Sequence, residues 1–282
     1  MTATEAYSDL SESLTSIYEN REAANIADWV IENITGKKGW ERKMDTRDLT
    51  IEELTRFDKY KSELLTNKPV QYVLNEAWFC GMKFYVDENV LVPRPETEEL
   101  VDIITKDHPA GTPMVIDIGS GSGCIPISIK KKLPGARVVS CDISKGAVNV
   151  ARKNARDLKA DVQFQVLDFL NEINWSALPS ADIIVSNPPY IPFDEKELLA
   201  KNVVDFEPSV ALFVPQDDPL IFYKKILHFA GIHLRNGGKV YLEVHENLAG
   251  YVRDLFAVSA DTVEIIKDMY GRERMIRAIW KY

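Results

Sequence analysis

From about residue 112 the chain alternates between short apolar runs and amphipathic stretches, and this alternation limits the possible folds more than any other feature. "MVIDIGS" reads as a buried strand, and residues 123–133 as a helix that tolerates Pro126 in its first turn. "ARVVSCDIS" is a second strand, residues 145–158 a helix, "VQFQVLD" a third strand and "ADIIVSNPP" a fourth. A helix around 218–235 leads to "GGKVYLEV", and "TVEIIKD" and "RMIRAIW" complete the set. Strands that alternate with helices predict an α/β fold: a doubly wound, mostly parallel seven-stranded sheet with helices on both faces. Only "MYGRE" separates the last two strands, which are therefore expected to be antiparallel, giving a mixed edge.

The N-terminal part has a different period. Leu10, Leu14, Ile17 and Tyr18, then Ala27, Val30, Ile31 and Ile34, recur at helical spacing, and Gly36 is a helix stop. Thr50 and Glu53 have capping-box spacing at the start of a helix that continues through Leu54, Phe57, Leu64 and Leu65. Residues 1–68 thus form a small helical bundle, and the basic stretch Lys37, Lys38, Arg42, Lys43 is expected to be a solvated loop. "WFCGMKFYV" reads as two strands around a turn at Gly81. Residues 69–95 are accordingly a β-hairpin linker, ending where Pro93 and Pro95 frame an exposed Arg94 before a helix that begins near Glu96. Residues 96–282 are the α/β domain.

Composition excludes several classes. No apolar run approaches the roughly 18 residues of a membrane span, and the acidic start "MTATEAYSDLSESL" has no signal-like pattern, so a cytoplasmic protein is expected. Three cysteines (Cys80, Cys124, Cys141) and four scattered histidines have neither disulfide nor metal-ligand spacing, and no metal is expected. A net charge of −9 argues against a chain whose main task is gripping nucleic-acid phosphates.

"VIDIGSGSGC" places Gly119, Gly121 and Gly123, with Ser120 and Ser122 between them, directly after the first strand. In a doubly wound sheet the ligand crevice lies at the carboxyl ends of the strands, where glycines let the backbone approach closely. The spacing is G-x-G-x-G, and Cys124 stands where the dinucleotide fingerprint has its last glycine, so pyrophosphate binding is not supported. Asp142, after the second strand, is placed to hold ribose hydroxyls. A phosphate-free adenosine cofactor fits best, and S-adenosylmethionine is the common one. Asp168 and Phe169 end the third strand at the same edge; they either contact an adenine or simply finish a strand.

"SNPPYI" leaves the fourth strand with a side-chain amide, two residues lacking N–H groups and an aromatic ring. Asn187 can point its amide oxygen into the crevice. Pro188 and Pro189 leave a neighbouring carbonyl free to accept from a ligand, and Tyr190 can stack on a flat group. The stretch is suited to accept two hydrogen bonds from a planar –NH2 group. Such acceptors would stabilise the positive charge that develops on an amide or aromatic nitrogen as it is alkylated.

Asn-Pro-Pro-Tyr after a fourth strand resembles the motif of methyltransferases that modify nitrogens of planar groups, both adenine and glutamine side chains. The segments "PVQYVLNEAWFCGMKFYVDENVLVPRPETEELVD", "VIDIGSGSGCIPISI", "CDISKGAVNVARKNA", "SNPPYIP", "FEPSVALF" and "KDMYGRERMIRA" resemble, in order, the release factor glutamine methyltransferases (PrmC/HemK type). The resemblance runs from about residue 68 to the end. It implies a Rossmann-like methyltransferase that uses S-adenosylmethionine, releases S-adenosylhomocysteine and methylates the glutamine of the Gly-Gly-Gln motif in peptide chain release factors. Under it, Gly119, Ser120, Gly121, Ser122, Gly123, Asp142, Phe169 and Asn187 line the cofactor site. Asn187, Pro188, Pro189 and Tyr190 hold the glutamine, with Asn187, Pro188 and Tyr190 at the reaction. Arg94 and Glu96 border the pocket, and the helical part docks the release factor.

A monomer that contacts no nucleic acid or membrane is the implied form. The alternative, adenine methylation of nucleic acid, should come with a basic groove or target-recognition domain, and neither is evident. A non-catalytic relative should show a degraded clamp, yet every clamp residue is present. Asn75, Pro215 in "LFVPQDDPL", His245 and Leu248 depart from the family's pattern and bear on docking of the protein substrate more than on the reaction.

Overall fold

The computed structural model describes residues 1–281; residue 282, the last of the expected catalytic domain, lies outside them. Contacts divide the chain into two units, Met1–Glu76 with Ala200–Phe206, and Ala77–Leu199 with Glu207–Tyr282.

The first unit is helical. Helices Ala3–Leu14, Asn20–Thr35 and Ile51–Leu64 bury one face each, with Leu10, Leu14, Val30, Ile31, Phe57 and Leu64 in a common core. Thr2 with Glu5 and Thr50 with Glu53 close capping boxes, which satisfy otherwise orphaned N–H groups at each helix start. Gly36 ends the second helix at φ 70°, the left-handed position that glycine adopts at low cost.

Two local expectations are corrected here. The basic stretch is only partly a solvated loop: Lys37 and Lys38 lie in one and Lys38 and Lys43 are exposed, but Gly39–Met44 is a short helix and Arg42 is buried. Its guanidinium lies 4.0 Å from the centroid of the Tyr7 ring and pairs with Asp28, contacts between distant residues that charge pattern alone does not reveal. Residues Val70–Leu74, expected in the hairpin, form a helical turn. Asn75 ends it in the left-handed conformation at φ 51°. That accounts for the departure from glycine, since asparagine is the residue that next most readily adopts this conformation.

The second unit opens with the hairpin Ala77–Phe79 and Met82–Phe84, turned by Cys80 at φ 48° and Gly81 at φ 71°. Two consecutive positive φ values mark a primed turn, whose twist matches the strands. Phe79 and Phe84 point into the core beneath the main sheet.

That sheet has seven strands: β1 (Met114–Ile118), β2 (Arg137–Asp142), β3 (Gln163–Val166), β4 (Ala181–Ser186), β5 (Leu234–Glu243), β6 (Thr262–Lys267) and β7 (Glu273–Ile279). Their order is β6-β7-β5-β4-β1-β2-β3. β7 runs antiparallel to both β5 and β6, and the other neighbours are parallel. Alternate residues feed two cores. Ile116, Ile184 and Val240 face the helices Ile221–His233 and Ala249–Phe256, whereas Val115, Ile183, Val185 and Tyr241 face Pro95–Asp107, Cys124–Lys132 and Lys145–Asp157. The direction of winding reverses between β1 and β4. A ligand crevice belongs at the carboxyl ends of those two strands.

Candidate active site

The loop after β1 is folded over the end of β2 by its own backbone. The N–H groups of Gly119 and Ser120 donate to the Cys141 carbonyl at 2.8 and 3.0 Å, and Gly123 N–H donates to the Ser120 carbonyl at 2.7 Å. Gly123, at φ 81°, is required by packing: a Cβ there would lie 2.9 Å from Ile127 Cδ1 and 3.1 Å from Ala151 Cβ. Gly121 differs, because a Cβ added to it would meet nothing within 4 Å. Asp142 accepts from Gly121 N–H and Ser144 N–H, both at 2.9 Å. Burial raises its pKa above the usual carboxylate value, and the two amide donors offset part of that rise.

Asn154 fixes the loop from beneath. This buried side chain donates to the carbonyls of Ser122 and Tyr85 and accepts from Tyr85 N–H. The hairpin's continuation is thereby tied to the glycine loop.

β4 ends in parallel with β1, where Ser186 Oγ donates to the Ile118 carbonyl at 2.7 Å. The next residue, Asn187, donates from Nδ2 to Thr97 Oγ1 at 3.2 Å, and the Thr97 hydroxyl donates to Glu243 Oε2 at 2.6 Å. With the Asn187 nitrogen engaged, Oδ1 is the end left for a ligand. Among the described residues, neither that oxygen nor the Pro188 carbonyl accepts a protein hydrogen bond. Burial raises the Glu243 pKa from 4.5 to about 7, while Thr97 and Arg274 counteract the rise.

Beside these groups lies a cavity of about 280 Å³. Gly119, Ser120, Gly121, Ser122, Asp142, Asp168, Phe169, Asn187, Pro188, Pro189 and Arg94 lie in its wall. Phe169 is held there by Trp175 and Phe229, with ring centroids 5.5 and 5.3 Å away. Gly123, Glu96 and Tyr190 are not in the wall. Gly123 serves helix packing, as above. Tyr190 packs against the sheet core beside the His245 ring, with centroids 5.9 Å apart, and burial raises its pKa to about 12. His245, one of the departures, is thus a neighbour of the motif tyrosine, and Pro215, another, lines the cavity.

Arg94 is less exposed than the flanking prolines suggest. Its Nη2 reaches Glu207 Oε1 at 2.7 Å, and Glu207 is buried. Burial raises the Glu207 pKa and Arg94 pulls it back. Val92 and Arg94 therefore meet Glu207 beside the cavity, through this ion pair and the Val92 N–H. Sequence reasoning missed Thr97, Asn154, Glu207 and Glu243 as site residues. For Asn154 a signal existed, an amide on the apolar face of an otherwise amphipathic helix. The others are distinguished only by contacts across ninety or more residues of chain.

The sheet order, the glycine loop after β1 and the amide-bearing exit from β4 define the class, a methyltransferase. Residues 96–205 match the model of the methyltransferase small domain. The release factor glutamine methyltransferase of Bacteroides thetaiotaomicron is 44% identical over 76% of this chain and 77% of its own length. That of Flavobacterium psychrophilum is 40% identical over 80% of each. Among solved structures, the hMettl16 catalytic domain in complex with a MAT2A 3′UTR hairpin shares the fold, with a TM-score of 0.55 at 16% identity, covering 82% of both chains. The chain belongs to the release factor glutamine methyltransferase family.

Proposed function

We propose that this enzyme transfers a methyl group from S-adenosylmethionine to the side-chain amide nitrogen of the Gly-Gly-Gln glutamine in peptide chain release factors. The observation that carries the reading is the pair of acceptors without protein donors, Asn187 Oδ1 and the Pro188 carbonyl, beside the glycine loop. A primary amide has two N–H groups to satisfy them.

The cavity fits the cofactor. Gly121 opens onto space that a side chain would enter, and Asp142 keeps lone pairs for hydroxyls beyond the two amides it accepts from. Gly119, Ser120, Gly121 and Ser122 would bear on its amino-acid part, Asp142 on the ribose and Phe169 on the base. When bound, S-adenosylmethionine supplies an electrophilic methyl carbon and a sulfur that leaves with the bonding pair, as S-adenosylhomocysteine.

The protein's part is orientation and charge stabilisation. An amide nitrogen is a poor nucleophile because its lone pair is delocalised into the carbonyl. Hydrogen bonds from both its protons to Asn187 Oδ1 and the Pro188 carbonyl shift density onto nitrogen as the new carbon–nitrogen bond forms. The same two acceptors would fix the position of the nitrogen, and such positioning supplies much of the entropic advantage. One amide proton leaves to solvent after transfer, so no strong base is needed. Pro189 lines the cavity on the substrate side, Tyr190 and Glu96 stand behind its wall, and Glu207 holds Arg94 in that wall. The helical unit, residues 1–68, docks the release factor, and residues 69–95 connect it to the catalytic residues 96–282. The enzyme acts in the cytoplasm as a monomer, without nucleic acid.

Asn187→Ala tests the clamp. Loss of one preorganised partner is expected to lower turnover on a purified release factor by roughly 10²–10³-fold, with cofactor affinity kept. Turnover near that of the wild type would contradict it.

A further inference from the structure

The oxygen of the Asn187 amide faces the cavity only if something fixes which end of the amide points inward. Rotating the amide by half a turn would present two donors to the substrate's own donors and abolish the clamp. The fixing group is Thr97, the third residue of the helix Pro95–Asp107. It is buried, as is Glu243 at the end of β5. Register explains the meeting: Ser186 pairs with Leu242, so Asn187 and Glu243 leave their strands side by side. The buried Glu243 Oε2 accepts from the Thr97 hydroxyl at 2.6 Å, and only lone pairs then remain on Thr97 Oγ1 to face Asn187. An acceptor there selects the NH2 end of the amide, which sits 3.2 Å away.

We infer that Thr97 and Glu243 form a positioning relay that sets the orientation of the Asn187 amide, and that turnover depends on it through Asn187, with Thr97 in the cavity wall and Glu243 behind it. The inference rests on the proposed glutamine methylation and deepens it. Three further observations support a built device. The Glu243 backbone carbonyl is held at 3.2 Å by the hydroxyl of Tyr223. Thr97 N–H donates to the Arg94 carbonyl at 3.1 Å, fixing the first turn. Pro95 at the first helical position presets the backbone of that turn.

The test compares Thr97→Val and Thr97→Ser with the wild type, using purified release factor and S-adenosylmethionine. Valine keeps the shape and removes the hydroxyl. It is expected to lower kcat by about 10–100-fold, because a misoriented partner loses most of its effect on the transition state. KM for the release factor and Kd for the cofactor should stay within about 3-fold of the wild type, and serine should restore kcat to within the same margin. In the Asn187→Ala background Thr97→Val should cost nothing further, since the group it orients is gone. Should valine leave Glu243 too poorly paired to fold, the same substitution in a Glu243→Gln background opposes a neutral amide and provides the comparison.

Near-wild-type kcat in Thr97→Val would overturn the relay, as would an equal loss in the Asn187→Ala background or failure of serine to rescue. A wild-type enzyme that leaves the release factor glutamine unmodified would instead overturn the function on which the relay rests.

Discussion

Glu243 is a carboxyl placed where water does not reach, and its titration has a sign that can be checked. Its pKa lies at about 7 in the folded protein against an ordinary 4.5. The folded state therefore binds the proton more tightly than the unfolded state. The associated stability is fully present below the unfolded value and is lost as pH rises through about 7. Glu243→Gln removes this dependence while keeping an acceptor for Thr97. The melting temperature of the variant relative to the wild type is expected to be higher at about pH 8 than at about pH 5. Other buried carboxyls, Asp117 among them at about 8, are common to both proteins and cancel in the difference. A relative melting temperature independent of pH would show that burial does not raise the Glu243 pKa. None of this was legible in "LEVHENL", because the partner Thr97 lies 146 residues away and only the sheet register brings the two together. Asn187 was legible, since an amide before two prolines at a strand exit is chemically unusual wherever it occurs.

At the scale of elements, the site depends on how separate pieces are tied. Asn154 joins the helix Lys145–Asp157 to both the hairpin's continuation and the glycine loop, by three hydrogen bonds. Asn154→Ala leaves the buried Ser122 carbonyl unpaired, at about 1–3 kcal/mol for such a group, and frees the half-buried backbone groups of Tyr85 at a smaller cost. A lower melting temperature and weaker cofactor binding are expected together, measured by thermal unfolding and calorimetry. Weakened stability with unchanged cofactor affinity would mean that the loop keeps its shape without the tie. The strands and the hairpin were legible because each is marked locally, by apolar runs or by Gly81 in a turn. Two local misreadings have physical reasons. Arg42 was expected in solvent because charge pattern takes no account of Tyr7 and Asp28 folding onto it. Residues 70–74 were expected in the hairpin because five apolar and polar residues fit either period, and Asn75 ends them as a helix.

For the whole molecule, the order β6-β7-β5-β4-β1-β2-β3 brings the ends of β1, β2, β3 and β4 to one edge. That edge collects the glycine loop, Asp142, Asp168 with Phe169, and the Asn-Pro-Pro stretch, four sequence-distant segments around one cavity. The alternation of strand and helix made the sheet legible, and its antiparallel last pair followed from a short connection. Which planar nitrogen the proposed clamp would hold is a property of the substrate's shape, not of the sheet. The most direct measurement is therefore transfer of label from S-adenosylmethionine with three acceptors in parallel: a purified release factor, its Gly-Gly-Gln→Gly-Gly-Ala variant and double-stranded DNA. Label on the intact release factor alone is the predicted result. Label on DNA, or equal label on the alanine variant, would contradict glutamine methylation.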